Sequence, residues 1–168
     1  MSLQVAVSDT SVLINLHHLE LLESLSLFYR EVLVPAPVRG EFLDHKDQRA
    51  REIALNVLTE RGFFSPCDDF DSVEVDIFKS YKMEGAEAEA LSQMKLRNAD
   101  ILLIDEKIGR KIAEREMRTV IGTVSLLAKF HKLGLVDYLS AINRLKTELG
   151  MRISNDVVQA AFNNQMNQ

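Results

Sequence analysis

Gln4-Val5-Ala6-Val7-Ser8-Asp9-Thr10-Ser11 is the stretch that decides the fold. A short apolar run delivers an aspartate and then two hydroxyl side chains. The setting recurs later in the chain, where Ile101-Leu102-Leu103-Ile104 delivers Asp105. Apolar runs of this length read as buried strands. In open α/β sheets, ligands bind in the crevice beyond the strands' carboxyl ends. Two carboxylates at two strand ends therefore point to a shared acidic pocket, and an acidic pocket points to a hard metal ion.

Outward from these two strands, apolar strand-like runs alternate with helical patterns. Residues 10–26 read as one helix, with Val12, Leu13, Leu16, Leu19, Leu22 and Leu25 near helical spacing. Glu31-Val32-Leu33-Val34 is a second strand closed by Pro35, and a helix carrying Glu41 begins near Pro37, since proline is tolerated in a first turn. Residues 49–61 predict a further helix ended by Gly62. Phe63-Phe64 reads as a minor strand before a polar turn at Pro66-Cys67-Asp68-Asp69. Helices are expected over 73–81, 86–97, 106–116 and 123–132, the last capped by the Thr123 hydroxyl. A strand is expected at 119–121, and two final helices over 137–149 and 154–164. Alternating β and α segments imply an α/β fold: a three-layer α/β/α sandwich around a mostly parallel sheet. The expectation is a single domain over 1–168, with the C-terminal helices from about residue 137 packed on it.

Composition sets mild bounds. The chain has 168 residues, 46% of them hydrophobic and 27% charged, ordinary values for a globular protein with a sizeable core. One cysteine, Cys67, cannot close an internal disulfide, so nothing points to an oxidising compartment. The amino terminus lacks a signal-peptide pattern, and no run approaches the roughly 18–20 apolar residues that span a bilayer. A soluble cytoplasmic protein with no membrane partner is expected. The net charge of −5 lowers the prior for nucleic-acid binding. Against that, Lys107, Arg110, Lys111, Arg115 and Arg118 form a local basic cluster, and a metal site would consume several acids.

Each candidate carboxylate has a bland reading beside the functional one. Asp9 and Asp105 each follow a strand directly, where an aspartate also serves as a helix N-cap. Glu41 suits a solvated helix face. Glu87 and Glu89 lie in the first turns of a helix, where acids are favoured by its dipole; being two residues apart, only one of them can aim at a given point. Glu84, three residues before Glu87, suits a capping partner. Spacing alone does not single out these glutamates. Should four carboxylates converge, like charges about 5 Å apart repel by roughly 3 kcal/mol at an effective dielectric near 20. Such a cluster survives by binding protons or a cation. Oxygen donors with no Cys/His spacing favour Mg²⁺ or Mn²⁺ over zinc. One or a pair of such ions supports phosphodiester hydrolysis.

Several segments together resemble the PIN-domain family, within its prokaryotic VapC-like toxin group. They are Ser8-Asp9-Thr10-Ser11-Val12-Leu13-Ile14, Val34-Pro35-Ala36-Pro37-Val38-Arg39-Gly40-Glu41 and Gly85-Ala86-Glu87-Ala88-Glu89-Ala90. Downstream come Ala99-Asp100-Ile101-Leu102-Leu103-Ile104-Asp105-Glu106-Lys107-Ile108-Gly109-Arg110 and Val120-Ile121-Gly122-Thr123. The resemblance spans roughly residues 3 to 155. It implies an RNA-cleaving enzyme dependent on Mg²⁺ or Mn²⁺, with catalytic acids Asp9, Glu41, Glu87 and Asp105, of which Asp9, Glu87 and Asp105 hold metal. Glu89 is the reserve for the third acid, and Thr10 or Ser11 a hydroxyl supporting the acids or touching substrate. Where this group often has Gly-Glu-x-Glu, this chain has Ala86 in place of the glycine. Asp100, Glu106 and Arg110 resemble structural features more than catalytic ones. Arg110 is a possible phosphate contact, against a solvated face or an ion pair with Glu106 or Glu114. A small antitoxin partner and a homodimer are implied by the resemblance alone.

Other classes fit less well. A haloacid-dehalogenase-type phosphatase needs a second aspartate where Ser11 stands. A receiver-type domain needs an acidic pair before its first helix, and Ser8-Asp9 supplies one acid. No phosphate-binding Gly-x-x-x-x-Gly-Lys loop is present. His17, His18, His45 and His131 form no ligand spacing. The alternative of a different class is a catalytically weak or inactive PIN-fold module that binds RNA or protein without cleaving it, since fold does not fix function.

Overall fold

A computed structural model describes residues 3–44, 46, 51 and 63–167, and the chain divides into two compact units, Met1–Ile121 and Gly122–Gln168. The first unit is built on five strands: β1 Gln4–Ser8, β2 Tyr29–Pro35, β3 Phe64–Cys67, β4 Ile101–Leu103 and β5 Thr119–Ile121. They form one sheet in the order β3-β2-β1-β4-β5, and every pairing is parallel. Its helices are α1 Thr10–His18, a 3₁₀ turn at Glu23–Leu27, α2 Ala36–Leu43, α3 Ser72–Ser80, α4 Gly85–Leu96 and α5 Lys107–Arg115. The α/β fold expected from the alternation of segments is the fold observed.

Side chains alternate across each strand, so every second residue shares a face. Val5 and Val7 of β1, Leu33 of β2, Cys67 of β3 and Leu102 of β4 form one face. That face packs with Val75 and Phe78 of α3, Ala88, Leu91 and Met94 of α4, and Ile112 and Ala113 of α5. Each large apolar side chain buried in this way contributes roughly 1.5–3 kcal/mol. The opposite face, Ala6, Val32, Val34, Ile101 and Leu103, is equally buried. Strands with apolar residues on both faces read as near-continuous hydrophobic runs, which is why β1 and β4 stand out in the sequence. Gly109 lets α5 approach the end of β4: a Cβ there would lie 2.5 Å from Ile104 Cδ1.

Several element boundaries differ from the sequence reading, each for a local reason. The single helix expected over residues 10–26 stops at His18. Glu20 adopts a left-handed backbone (φ 60°), its N–H donates to His17 O, and the Leu21 N–H donates to Leu16 O. This closure satisfies the last carbonyls of α1. Leu21, Leu22 and Leu25 stay buried without prolonging the helix. Pro66 and Cys67 do not form a turn but belong to β3, an edge strand, where proline's missing donor is tolerated. Residues 49–61 lie almost entirely outside the described residues.

The second unit carries α6 Thr123–Lys132, α7 Tyr138–Glu148 and α8 Asn155–Met166. Gly122, not the Thr123 hydroxyl, occupies the N-cap of α6, because Thr123 is already helical. Asp137 and Ser154 cap α7 and α8 through side-chain oxygens. Tyr138 donates its hydroxyl proton to Val158 O at 2.8 Å and stacks on Phe162, tying α7 to α8.

Candidate active site

The direction of strand progression reverses between β1 and β4, and the crevice beyond the carboxyl ends of such a pair is the usual ligand site of open α/β sheets. Asp9 follows β1 and lines a pocket there, whereas Asp105, just past β4, is not on that pocket's wall. The backbone N–H of Asp9 donates to Leu103 O at 2.9 Å, extending the β1–β4 ladder past the strands and fixing where Asp9 begins. Its side chain is 2% exposed. Oδ1 accepts the Val12 N–H at 3.0 Å, an N-cap of α1. Oδ2 accepts the Ser11 hydroxyl at 2.8 Å and, at 3.4 Å, the Asp105 N–H. Oδ1 thus serves the helix cap expected of Asp9, while Oδ2 is bonded to Ser11 and Asp105.

Asp105 does not cap a helix. Glu106 does so for α5, accepting the Gly109 N–H at 2.6 Å. Its Oδ2 accepts the side-chain amide of Asn15 at 3.0 Å. Burial pushes the Asp9 carboxyl up to about 7, and the negative charge of Asp105 adds to the rise; hydrogen bonds from Val12, Ser11 and Asp105 pull the other way.

Glu41 projects from α2 and accepts the Thr10 hydroxyl at 2.6 Å. Glu87 is buried in the first turn of α4, where Glu84 is the N-cap; the Glu84 N–H donates to Glu87 Oε2 at 3.2 Å in a capping box. Burial, then the charge of Glu106, pushes Glu87 up to about 7, and the charges of Glu84 and Glu41 add to this. Asp9, Glu41, Glu84 and Glu87 line one pocket of about 260 Å³ together with Thr10 and Ser11. Ile14 and Ala86 complete its wall. Asp105 acts on this pocket through Asp9, by its N–H and by its charge.

Glu89 stays off the pocket wall, facing Lys79, whose charge opposes the upward push of burial. Arg110 donates from Nη1 to Ile104 O at 3.0 Å, against the backbone after β4. Asp100 accepts the Val5 N–H at 2.8 Å and returns its own N–H to Val5 O, closing the entrance of the β1–β4 pair. His131 bonds Val136 O, and His17, His18 and Cys67 do not line the pocket; His45 lies outside the described residues. The residue that sequence reasoning missed is Asn15. Its only signal is an amide side chain on a helix face otherwise buried as Val12, Leu13 and Leu16.

The donor chemistry fits a hard divalent cation: carboxylates, hydroxyls and, among the described residues, no basic side chain on the pocket wall. Among the described residues, no three His, Cys, Asp or Glu side chains are gathered tightly enough to hold one ion. Asp9 feels the charge of Asp105, and Glu87 feels the charges of Glu106, Glu84 and, least, Glu41. The fold and pocket define an α/β protein with an acidic crevice at its switch point. The PIN-domain model matches residues 5–166, and the chain belongs to that family. PIN domains are generally nucleases, so the fold is a nuclease-type one. Comparison with curated proteins gives no match. Among the described residues, no helix is long and apolar enough to cross a membrane.

Proposed function

We propose that this chain is a metal-dependent endoribonuclease that hydrolyses RNA phosphodiester bonds at the Asp9 pocket. The observation that carries the reading is a switch-point pocket walled by carboxylates, with no basic side chain among the described residues on that wall. Asp9, Glu87 and Asp105 would hold Mg²⁺ or Mn²⁺, which needs only one or two carboxylates with water and substrate phosphate completing its shell, and which when bound activates water and offsets phosphate charge. Val12 and Ser11 hold the Asp9 carboxylate in one orientation, and Thr10 does the same for Glu41. Glu87, which burial holds near 7 without metal, must shed its proton to take the cation. Ile14 and Ala86 give the pocket an apolar wall against which a sugar or base rests. Lys107, Lys111 and Arg115 recur at four-residue intervals on α5, all exposed, and offer phosphates a basic track despite the net negative charge.

On the resemblance of its segments, the chain acts in the cytoplasm as the toxin of a toxin–antitoxin pair, a homodimer restrained by a small antitoxin protein. The competing reading is a weak or inactive module that binds RNA or protein. It draws support from the spacing of the acids, no three of which, among the described residues, are gathered to hold one ion. The test is hydrolysis of a mixed RNA pool with Mg²⁺ or Mn²⁺, comparing native protein with Asp9→Asn. Asparagine caps a helix as well as aspartate, so the fold is kept while cleavage falls by about 100-fold or more. Native protein that cleaves nothing, or a variant that cleaves equally well, rules out the nuclease reading at this pocket.

A further inference from the structure

Asn15 sits on the buried face of α1, 8% exposed, beside Val12, Leu13 and Leu16. An asparagine there is costly. It forms helix less well than leucine by roughly 0.5 kcal/mol, and its amide must be taken out of water, which costs about 1–3 kcal/mol if left unpaired. The amide donates to the Asp105 carboxylate, across ninety positions of sequence at 3.0 Å. A hydrogen bond to an ionised acceptor is about twice as strong as one between neutral groups.

We propose that Asn15 is a positioning residue that holds the Asp105 carboxylate beside Asp9 for divalent-cation binding; this rests on the metal-site reading above. Asp105 is half-buried and its charge repels Asp9, so a hydrogen bond to its carboxylate opposes that repulsion and favours one orientation. A lysine or arginine at position 15 would also hold it, but would neutralise the charge that a cation needs. A neutral donor orients the carboxylate and leaves its charge intact. The same device serves the other acids, with Ser11 on Asp9 and Thr10 on Glu41. Helix α1 thus supplies an uncharged donor to three of the four acids.

The test is Asn15→Leu, which matches the amide in size and suits a buried helix face. Mn²⁺ binding is measured on the full chain by calorimetric and electron-paramagnetic-resonance titration, with thermal melts in EDTA as the fold control. Loss of such a supporting partner lowers metal affinity by about 10–100-fold, and that loss is expected while the EDTA melt is unchanged or raised. Asn15→Gln, which keeps an amide donor on a longer arm, restores part of the affinity. Native Mn²⁺ affinity in Asn15→Leu overturns the assignment of Asn15 alone. So does a lowered EDTA melt with unchanged Mn²⁺ affinity, which would make Asn15 a packing residue. Native protein that binds no Mn²⁺ overturns the metal-site reading and this assignment with it.

Discussion

Asp9 divides its two oxygens between a helix and a pocket, and this has a measurable effect on stability. Its folded-state value near 7 lies above the ordinary 3.8, because burial and Asp105 penalise the charged form. The folded chain therefore retains a proton that the unfolded chain releases. Stability from this source is fully present below about pH 4 and is lost as pH rises through about 7. Glu87 acts in the same sense from its ordinary 4.5. A shift of this size amounts to a few kcal/mol. Metal-free protein in EDTA should therefore melt at lower temperature at about pH 8 than at about pH 5. Asp9→Asn should flatten that slope, and at about pH 8 exceed the native protein by roughly 1–3 kcal/mol. Melts of the two proteins that fall in parallel across this range would contradict the assignment. Asp9 and Asp105 were legible in the sequence because each follows a buried strand. Glu41 and Glu87 emerged only through resemblance, since a glutamate on a helix has a solvated face as its ordinary explanation. Asn15 was not legible, because nothing local says that Asp105 arrives opposite it.

At the scale of elements, periodicity located strands and helices well and their ends poorly. The leucines from Leu13 to Leu25 keep helical spacing through a stop that no glycine or asparagine marks. Glu20 takes a left-handed conformation that costs roughly 1–2 kcal/mol, tolerated because it closes the end of α1. Pro66 looked like a turn residue, and only its edge position makes it a strand residue. Asp100, without a role in the sequence, joins the starts of β1 and β4. Asp100→Ala leaves the Val5 N–H without that acceptor and should cost about 1–2 kcal/mol in urea unfolding. RNA cleavage per folded molecule should be unchanged, the reverse of the Asp9→Asn pattern. A variant with native stability, or one folded but inactive, would contradict a purely structural Asp100.

For the whole molecule, fold class followed from alternating β and α segments, but strand order did not. Local patterns say which residues are extended, not which neighbours they choose. The order β3-β2-β1-β4-β5 is what brings Asp9 and Asp105 together. Cation binding should show in the stability of the entire chain. With Mn²⁺ at about 100 times its dissociation constant, the folded state gains about 2.7 kcal/mol, or roughly 5–10 °C in Tm at this size. Carboxylates must shed protons to take a metal, and Asp9 and Glu87 hold theirs up to about 7. The Mn²⁺-induced shift should therefore be larger at about pH 8 than at about pH 6. An equal shift at both, or none, would place the cation elsewhere.

Asp9 and the donors Thr10, Ser11 and Asn15, which bond Glu41, Asp9 and Asp105 in turn, fall within one short window that opens α1. Each added residue in a helix advances the direction of a side chain by about 100°. A single insertion or deletion between Ser11 and Asn15 would turn the amide to another side of the helix, although every residue type was kept. Such a length change is absorbed in a surface loop, but here it would throw the helix out of phase with two strands at once. The window is constrained in count as well as in kind.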